Sequence, residues 1–233
     1  MSARNTDSRP YGRRAFLGLV AGGVSALFWA DPAWRRARGV LGAAASILPG
    51  ELAAIVPSSG WRIYTVAATM PTFDAATWQL RIGGLVERPL TLSYEELRAL
   101  PSAEQVSDFH CVTGWTVEHV HWRGVRFRDL LAPARPLPEA RALTFVSAEK
   151  PYRDSLTLEQ ALLADAMLAY DMDGEPLTRA HGAPARVVIP EMYGYKNVKW
   201  VQRIELTASA IDGYWEGLGY DRDAWVGHSN GYG

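Results

Sequence analysis

Cys111 is the single thiol of a 233-residue chain. The chain therefore cannot close an internal disulfide or build an all-cysteine metal cluster. A lone cysteine has three uses. It can pack as a small core hydrophobe, attack an electrophile as a thiolate, or ligate a soft metal. His110 is the nearest base for the second use, but adjacent strand residues point to opposite faces. His119 and His121 alternate along an expected strand and would share one face, a geometry open to a metal ion. Their spacing with His110 and Cys111 matches no standard zinc pattern. Two histidines on a solvated or ligand-facing side of the strand is the alternative.

The lysines carry a second signal. There are three, against 21 arginines. Lys196 and Lys199 both fall in Glu191–Trp200, beside Gly194 and Asn197; the third, Lys150, precedes Tyr152. A glycine-containing loop with amide donors and two ammonium groups suits a phosphate or similar oxyanion. A Tyr/Gly-rich hairpin with solvated lysines is the competing account. Gly227–Gly231 spells G-x-S-x-G, but a nucleophile elbow needs a strand before the serine and a helix after it, and the chain ends two residues later. No dinucleotide or P-loop fingerprint occurs.

These residues need a scaffold, and the pattern around them is strand-rich. Trp78–Val86 alternates apolar and polar residues around Gly83-Gly84, a strand with a bulge or a close backbone approach. Ser93-Tyr94-Glu95-Glu96 is a capping box for a short helix ending before Pro101. Gln105–Val112 and Val117–Trp122 read as strands around a turn at Gly114. Val125–Leu131 reads as a helical turn ended by Pro133, Leu143–Ala148 as a strand, and Thr157–Gln160 as the start of another capped helix. Met167–Asp171, the Asp173-Gly174 turn, Ala185–Ile189 and Val198–Leu206 complete the second half. Short helices interrupt strands without regular βαβ alternation, so the fold class is α+β with mixed β-sheets and not a Rossmann fold. The Gly- and aromatic-rich tail, Gly213–Gly233, is expected to wrap the surface.

The first fifty residues read as an address. Residues 1–50 hold 7 basic and 2 acidic side chains (+5), which leaves 17 − 23 = −6 for residues 51–233. That balance makes the remainder a poor generic nucleic-acid binder. Arg13-Arg14 stand before the apolar run Ala15–Ala30, which is too short to span a bilayer comfortably as a helix. Gly12–Gly18 resembles the twin-arginine export signal, a route that carries folded proteins, typically with a cofactor already inserted. Ala43-Ala44-Ala45 offers a small-residue cleavage site. Nine tryptophans and ten tyrosines point to a large core, a buried ligand surface, or both.

Taken in order, four segments resemble the sulfite oxidase superfamily, the molybdopterin-binding oxidoreductases. They are Asp108–Trp115, Trp122–Val125, Ala180–Pro190 and Tyr193–Ile204, and with their surroundings they span about residues 60–206. The resemblance implies a sulfite-oxidase-like fold over residues 51–233 after a signal and linker over 1–50. It also implies a molybdenum-molybdopterin cofactor, with Cys111 as the metal ligand. His181 and Arg186 would hold the pterin and its phosphate, and Lys199 with Asn197 would complete the cradle. Tyr64, Thr65 and Ser147 would be further pterin contacts. Tyr152 matches an active-site tyrosine able to hydrogen-bond a substrate oxo group or relay a proton.

One departure narrows the chemistry. Sulfite oxidases carry an Arg-Asn-His-Leu-Pro segment whose arginine helps to bind sulfite, whereas the corresponding Thr65-Val66-Ala67-Ala68-Thr69 has no cation. No haem-binding or dimerisation segment is expected after the cofactor motifs. In architecture the chain is similar to the catalytic subunit of periplasmic methionine sulfoxide reductases, which implies export, a small oxo-compound or sulfoxide as substrate, and a haem-containing membrane electron-transfer partner. Two other readings stand beside this one: a non-enzymatic cofactor-fold module that binds a partner through its aromatic tail, against which the retained cysteine argues, and a hydrolase that uses Cys111.

Overall fold

The computed structural model describes residues 60–231. The segments read as signal, cleavage site and linker lie outside the described residues. Ten strands among the described residues form two five-stranded sheets. The first runs β2 (Leu90–Ser93), β1 (Gln79–Gly84), β10 (Val201–Thr207), β5 (Ala142–Ser147), β6 (Arg153–Thr157). It is mixed, because β1 lies parallel to β10 while its other pairings are antiparallel. The second is antiparallel: β3 (Ala103–Cys111), β4 (Trp115–Arg126), β7 (Met167–Met172) and β8 (Glu175–Pro176), with β9 (Arg186–Val188) also on β7.

Both expected capping boxes form. Ser93 and Glu96 cap α1 (Tyr94–Ala99), and Thr157 and Gln160 cap α3 (Leu158–Ala161) by reciprocal side-chain and backbone hydrogen bonds. The close approach expected at Gly83-Gly84 belongs to Gly84, which has φ 79° and would place a Cβ 2.2 Å from the Leu206 carbonyl oxygen. Asp173 and Gly174 both take left-handed angles and turn β7 into β8, as such a pair does in a tight hairpin.

Four expectations need correction. First, β4 runs on to Arg126, so α2 (Phe127–Leu131) begins two residues later than expected. Gly124 permits the extension, since a Cβ there would lie 2.2 Å from the Leu168 carbonyl oxygen. Second, β2, β6 and β8 were not expected. They are short, and β6 carries Arg153, Asp154 and Ser155 where an apolar run would have announced a strand. Third, His119 takes φ 57°, and the β3–β4 register shifts so that Glu118 and His119 together stand opposite Asp108. This bulge interrupts the expected alternation by bringing Val117 and Val120 to the same apolar cluster. His119 and His121 stand exposed on either side of buried Val120, and no metal-ligating cluster forms among the described residues. Fourth, the tail does more than wrap the surface: Ala224 is buried, and Trp215 and Tyr220 turn inward.

β7 is buried on both faces, as a strand between two apolar layers must be. Leu168 and Tyr170 join the main core with Leu80, Ile82, Phe127, Phe145 and Ile204. Met167 and Ala169 face a smaller cluster around Val120 and Trp122. The end of β3, the start of β9 and the loop before β10 meet at the edge of this second cluster, and there the cavity opens.

Candidate active site

A largely apolar cavity of about 200 Å³ is lined by Cys111 at the end of β3, Tyr152 just before β6, and Arg186 at the start of β9. The loop from Gly194 to Lys199, the extended segment Trp61–Val66 and two tail aromatics close it. Cys111 is half-buried, with Sγ 3.1 Å from Thr113 Oγ1. His110 turns away and meets Thr116 Oγ1 through Nδ1, so no thiolate–imidazole pair forms with it.

One part of the lining is cationic. Arg186 is 2% exposed. Its guanidinium stands within 5.1–5.8 Å of the ring centres of Trp61, Phe109 and Trp122. One nitrogen donates to the His181 carbonyl, while Nε is buried without a partner. Burial pulls its pKa down to about 10. Lys199 Nζ donates to the Tyr64 carbonyl at 2.7 Å and lies over the Trp200 ring. Burial, and secondarily the charge of Arg186, lower its pKa to about 8. His181 packs edge-on against Trp61 with Nδ1 buried and unpartnered. Burial and the two neighbouring cations hold it down at about 4, so it is neutral at physiological pH. The lining includes one carboxylate among the described residues, Glu149, whose Oε1 accepts from the N–H groups of Val66 and Ala67. Two cations that desolvation disfavours, together with the unpartnered nitrogens of Arg186 and His181, suit a multivalent anion.

The other part is aromatic and hydroxylic. Tyr152 Oη donates to the Tyr195 carbonyl at 2.5 Å, and burial pushes its pKa well above the ordinary phenol value. Tyr214 stacks on Tyr152, Trp215 meets Tyr214 and Tyr220 edge-on, and Tyr220 meets Tyr195.

The remaining expected residues divide. Tyr64 lines the cavity, but Thr65 does not and bonds to the Ala67 carbonyl. Asn197 touches the lining, yet its amide is committed to the Ile189 N–H and the Met192 carbonyl. Ser147 is buried outside the lining, donating to the Lys199 carbonyl and accepting from the Glu149 N–H, so it shapes the Lys199 loop from behind. Lys196 is not the second ammonium of an oxyanion loop. It is 1% exposed and pairs with Asp154 and Glu216. Ser229 of the G-x-S-x-G string sits in a turn with no flanking strand or helix. Sequence reasoning missed Trp61, Phe109, Glu149, Trp215 and Tyr220. The acid of Glu149 at the end of an apolar strand was the one available signal, because rings that line a cavity look like core rings in a sequence.

The family model described as oxidoreductase molybdopterin binding domain matches residues 67–215. The chain belongs to that family. It is 39% identical over 154 residues to the oxidoreductase YuiH of Bacillus subtilis, covering 65% of this chain and 77% of the relative. It is 31% identical over 160 residues to the protein-methionine-sulfoxide reductase catalytic subunit MsrP of Campylobacter jejuni, covering 62% of this chain and 54% of the relative. The sulfane dehydrogenase SoxCD of Paracoccus pantotrophus superposes with a TM-score of 0.58 at 28% identity, over 62% of this chain and 41% of that one. The chain thus spans about half the length of MsrP and less of SoxCD.

The fold is the sulfite oxidase-like molybdopterin fold, the chain is an oxidoreductase, and its cofactor is molybdenum-molybdopterin. Family membership displaces the Cys111 hydrolase and the non-enzymatic binding module. The cavity suits that group on its own chemistry. The unpartnered Arg186 Nε and His181 Nδ1 and the two desolvated cations match a phosphate-bearing heterocycle, and a thiol opens into the same space.

Proposed function

We propose that this protein is an exported molybdenum-cofactor reductase of a small neutral oxo-compound, with sulfoxides as the substrate class. The carrying observation is that one apolar cavity holds Cys111 together with the cations Arg186 and Lys199. Cys111 would be the protein's thiolate ligand to the metal, since a soft thiolate suits such a centre. Arg186 would grip the pterin phosphate through its fork, Lys199 would add a point charge, and neutral His181 would hydrogen-bond the pterin. Tyr64 would flank the pterin; Asn197 and Ser147 would act by shaping the loop.

When bound, the cofactor supplies two-electron oxygen-atom transfer. The chain's residues do the rest. The aromatic part of the lining suits an uncharged organic substrate, in keeping with the absence of a cation in Thr65–Thr69, although Arg62 just before that stretch also lines the cavity. Tyr152 keeps its proton through the working pH range, so it cannot serve as a base, and its one O–H, now given to the Tyr195 carbonyl, would have to leave that acceptor to reach a substrate oxygen. Reduction of a sulfoxide consumes two electrons and two protons and yields a thioether and water. The words "catalytic subunit" in the name of MsrP support a separate electron donor, for which we propose a haem-containing membrane protein. Arg13-Arg14 and the apolar run after them support twin-arginine export of the folded, loaded protein.

The test is a pair of assays on molybdenum-loaded protein: oxidation of reduced viologen by dimethyl sulfoxide or methionine sulfoxide, and reduction of ferricyanide by sulfite. Sulfoxide turnover without sulfite turnover is expected. Sulfite oxidation without sulfoxide reduction overturns the assignment.

A further inference from the structure

Outside the cavity, two carboxylates share one ammonium in the protein interior. Lys196 Nζ lies 2.8 Å from Asp154 Oδ1, also bonds Glu216 Oε1, and reaches the Ser155 carbonyl at 3.2 Å. The three side chains are 1–2% exposed. The second oxygens, Asp154 Oδ2 and Glu216 Oε2, are buried without a donor. Gly213 packs straight onto them, since a Cβ there would stand 2.6 Å from Glu216 Oε2 and 2.7 Å from Asp154 Cγ.

A buried charge cluster costs desolvation that an apolar contact of the same size would avoid. Its placement offers a reason for it. Lys196 follows Tyr195, Glu216 follows Trp215, and Asp154 stands two residues after Tyr152, and all three aromatics line the cavity. The cluster therefore ties together the three separate stretches of chain that carry the aromatic wall. Ser155 reinforces the tie, exchanging hydrogen bonds with both backbone groups of Ile211, and Tyr214 N–H donates to the Arg153 carbonyl.

We propose that Asp154, Lys196 and Glu216 are positioning residues, a buried clamp that holds the aromatic wall closed and so governs substrate capture rather than the redox step. This rests on the cavity being the substrate site.

The clamp is also titratable. Two carboxylates beside one ammonium favour retention of one proton between them, and burial, opposed by Lys196 and aided by Glu216, pushes Asp154 from 3.8 up to about 7. The other ionisable groups around the pair are Tyr152 and Tyr195, both held protonated by burial, and Arg222, which the charge of Glu216 reaches along the tail. The closed wall binds the proton more tightly than an open one. Closure therefore weakens as pH rises from about 4 towards about 7 and levels off above that.

Hydrogen exchange of the Gly217–Tyr220 amides reads closure directly, without substrate, and so stands or falls separately from the sulfoxide assignment. Glu216→Ala should speed that exchange and raise KM by about tenfold each, the scale of one lost charge-assisted hydrogen bond. Molybdenum content and saturating turnover per molybdenum should stay within about twofold of wild type. Glu216→Gln, which keeps an acceptor for Lys196, should restore both exchange and KM. It should also flatten the rise in exchange between pH 4 and 7, after correction for intrinsic rates. Unchanged exchange in Glu216→Ala, faster exchange with unchanged KM, or a loss confined to kcat overturns the clamp. If Glu216→Ala does not accumulate, equal pH slopes for wild type and Glu216→Gln overturn it.

Discussion

The charge of Arg186 helps to hold Lys199 at a pKa of about 8, although the two side chains project from different stretches of chain into one cavity. Like charges are brought together under burial only when something else repays the repulsion. No carboxylate forms a salt bridge with either among the described residues, and Glu149 is committed to backbone N–H groups. The pair is thus arranged for an anion that binds from outside the chain, and burial is the main reason that both pKa values are low.

Arg186→Ala should lower cofactor affinity by roughly 10- to 100-fold, since a charge-assisted hydrogen bond is worth on the order of 1.5–3 kcal/mol. Arg186→Met, which fills the space among Trp61, Phe109 and Trp122 without a charge, should show the same loss. Turnover per bound molybdenum should stay near wild type in both. Molybdenum content and rate per molybdenum are the measurements. Full occupancy defeats the anchoring role, and full occupancy with lost turnover moves Arg186 to the substrate.

Lys199 makes cofactor retention depend on pH. Free of anion it titrates at about 8, and a bound phosphate raises that value by favouring the charged form. The complex therefore holds the proton more tightly than the free protein. Retention should be constant below about pH 8 and fall above it, by up to tenfold per pH unit. Molybdenum remaining after dialysis at pH 7 and pH 9 measures this. Lys199→Arg should flatten the dependence, and an equal decline in that variant would trace it elsewhere.

Much of this architecture was legible in the chain. Capping boxes at Ser93 and Thr157 act within four residues, so the sequence states them completely. The order of the Asp108–Trp115, Ala180–Pro190 and Tyr193–Ile204 segments named the cofactor, and the structure brings Cys111, His181, Arg186 and Lys199 to one cavity. What stayed hidden depends on contacts remote in sequence. Lys196 and Lys199 are indistinguishable as letters three apart. One is turned inward by Asp154 and Glu216, 42 and 20 residues away. The bulge at His119 and the inward turn of Trp215 are likewise tertiary decisions that no local pattern records.

Gly182→Ala should damage the same cradle through the backbone. Gly182 has φ 101°, and a Cβ there would lie 2.8 Å from Lys199 Cβ. The left-handed angle alone costs roughly 1–2 kcal/mol in an alanine, and the contact pushes Lys199 from its place. Gly174→Ala is the control, with φ 85° but open space around it. Both variants should melt a few degrees low, on the scale of about 2–4 °C per kcal/mol for a chain of this size. Gly182→Ala alone should also lose molybdenum. Equal occupancy in the two would separate Gly182 from the site.

Replacing Arg13-Arg14 with Lys-Lys should keep the precursor in the cytoplasm while leaving it able to bind cofactor there, because the described cavity begins at Trp61. Fractionation with molybdenum analysis of each compartment checks both halves. Undiminished export of the variant removes the basis for twin-arginine transport.

Cys111→Ser separates a metal ligand from a merely well-placed thiol. The side chain is half-buried and touches Thr113 Oγ1, a contact that a hydroxyl can keep, so the change in stability should be within about 0.5 kcal/mol. The phosphate contacts proposed for Arg186 and Lys199 do not involve this residue, so cofactor content should remain substantial. What disappears is the soft anionic donor, since a serine hydroxyl stays protonated where a thiol would ionise. Turnover per molybdenum should fall by more than about 100-fold, beyond the 10- to 100-fold typical of a residue that only supports a ligand. Visible absorption from the thiolate–metal bond should vanish with it. A variant that loses activity but keeps that absorption would make Cys111 a neighbour of the metal. One that keeps both would remove it from the site.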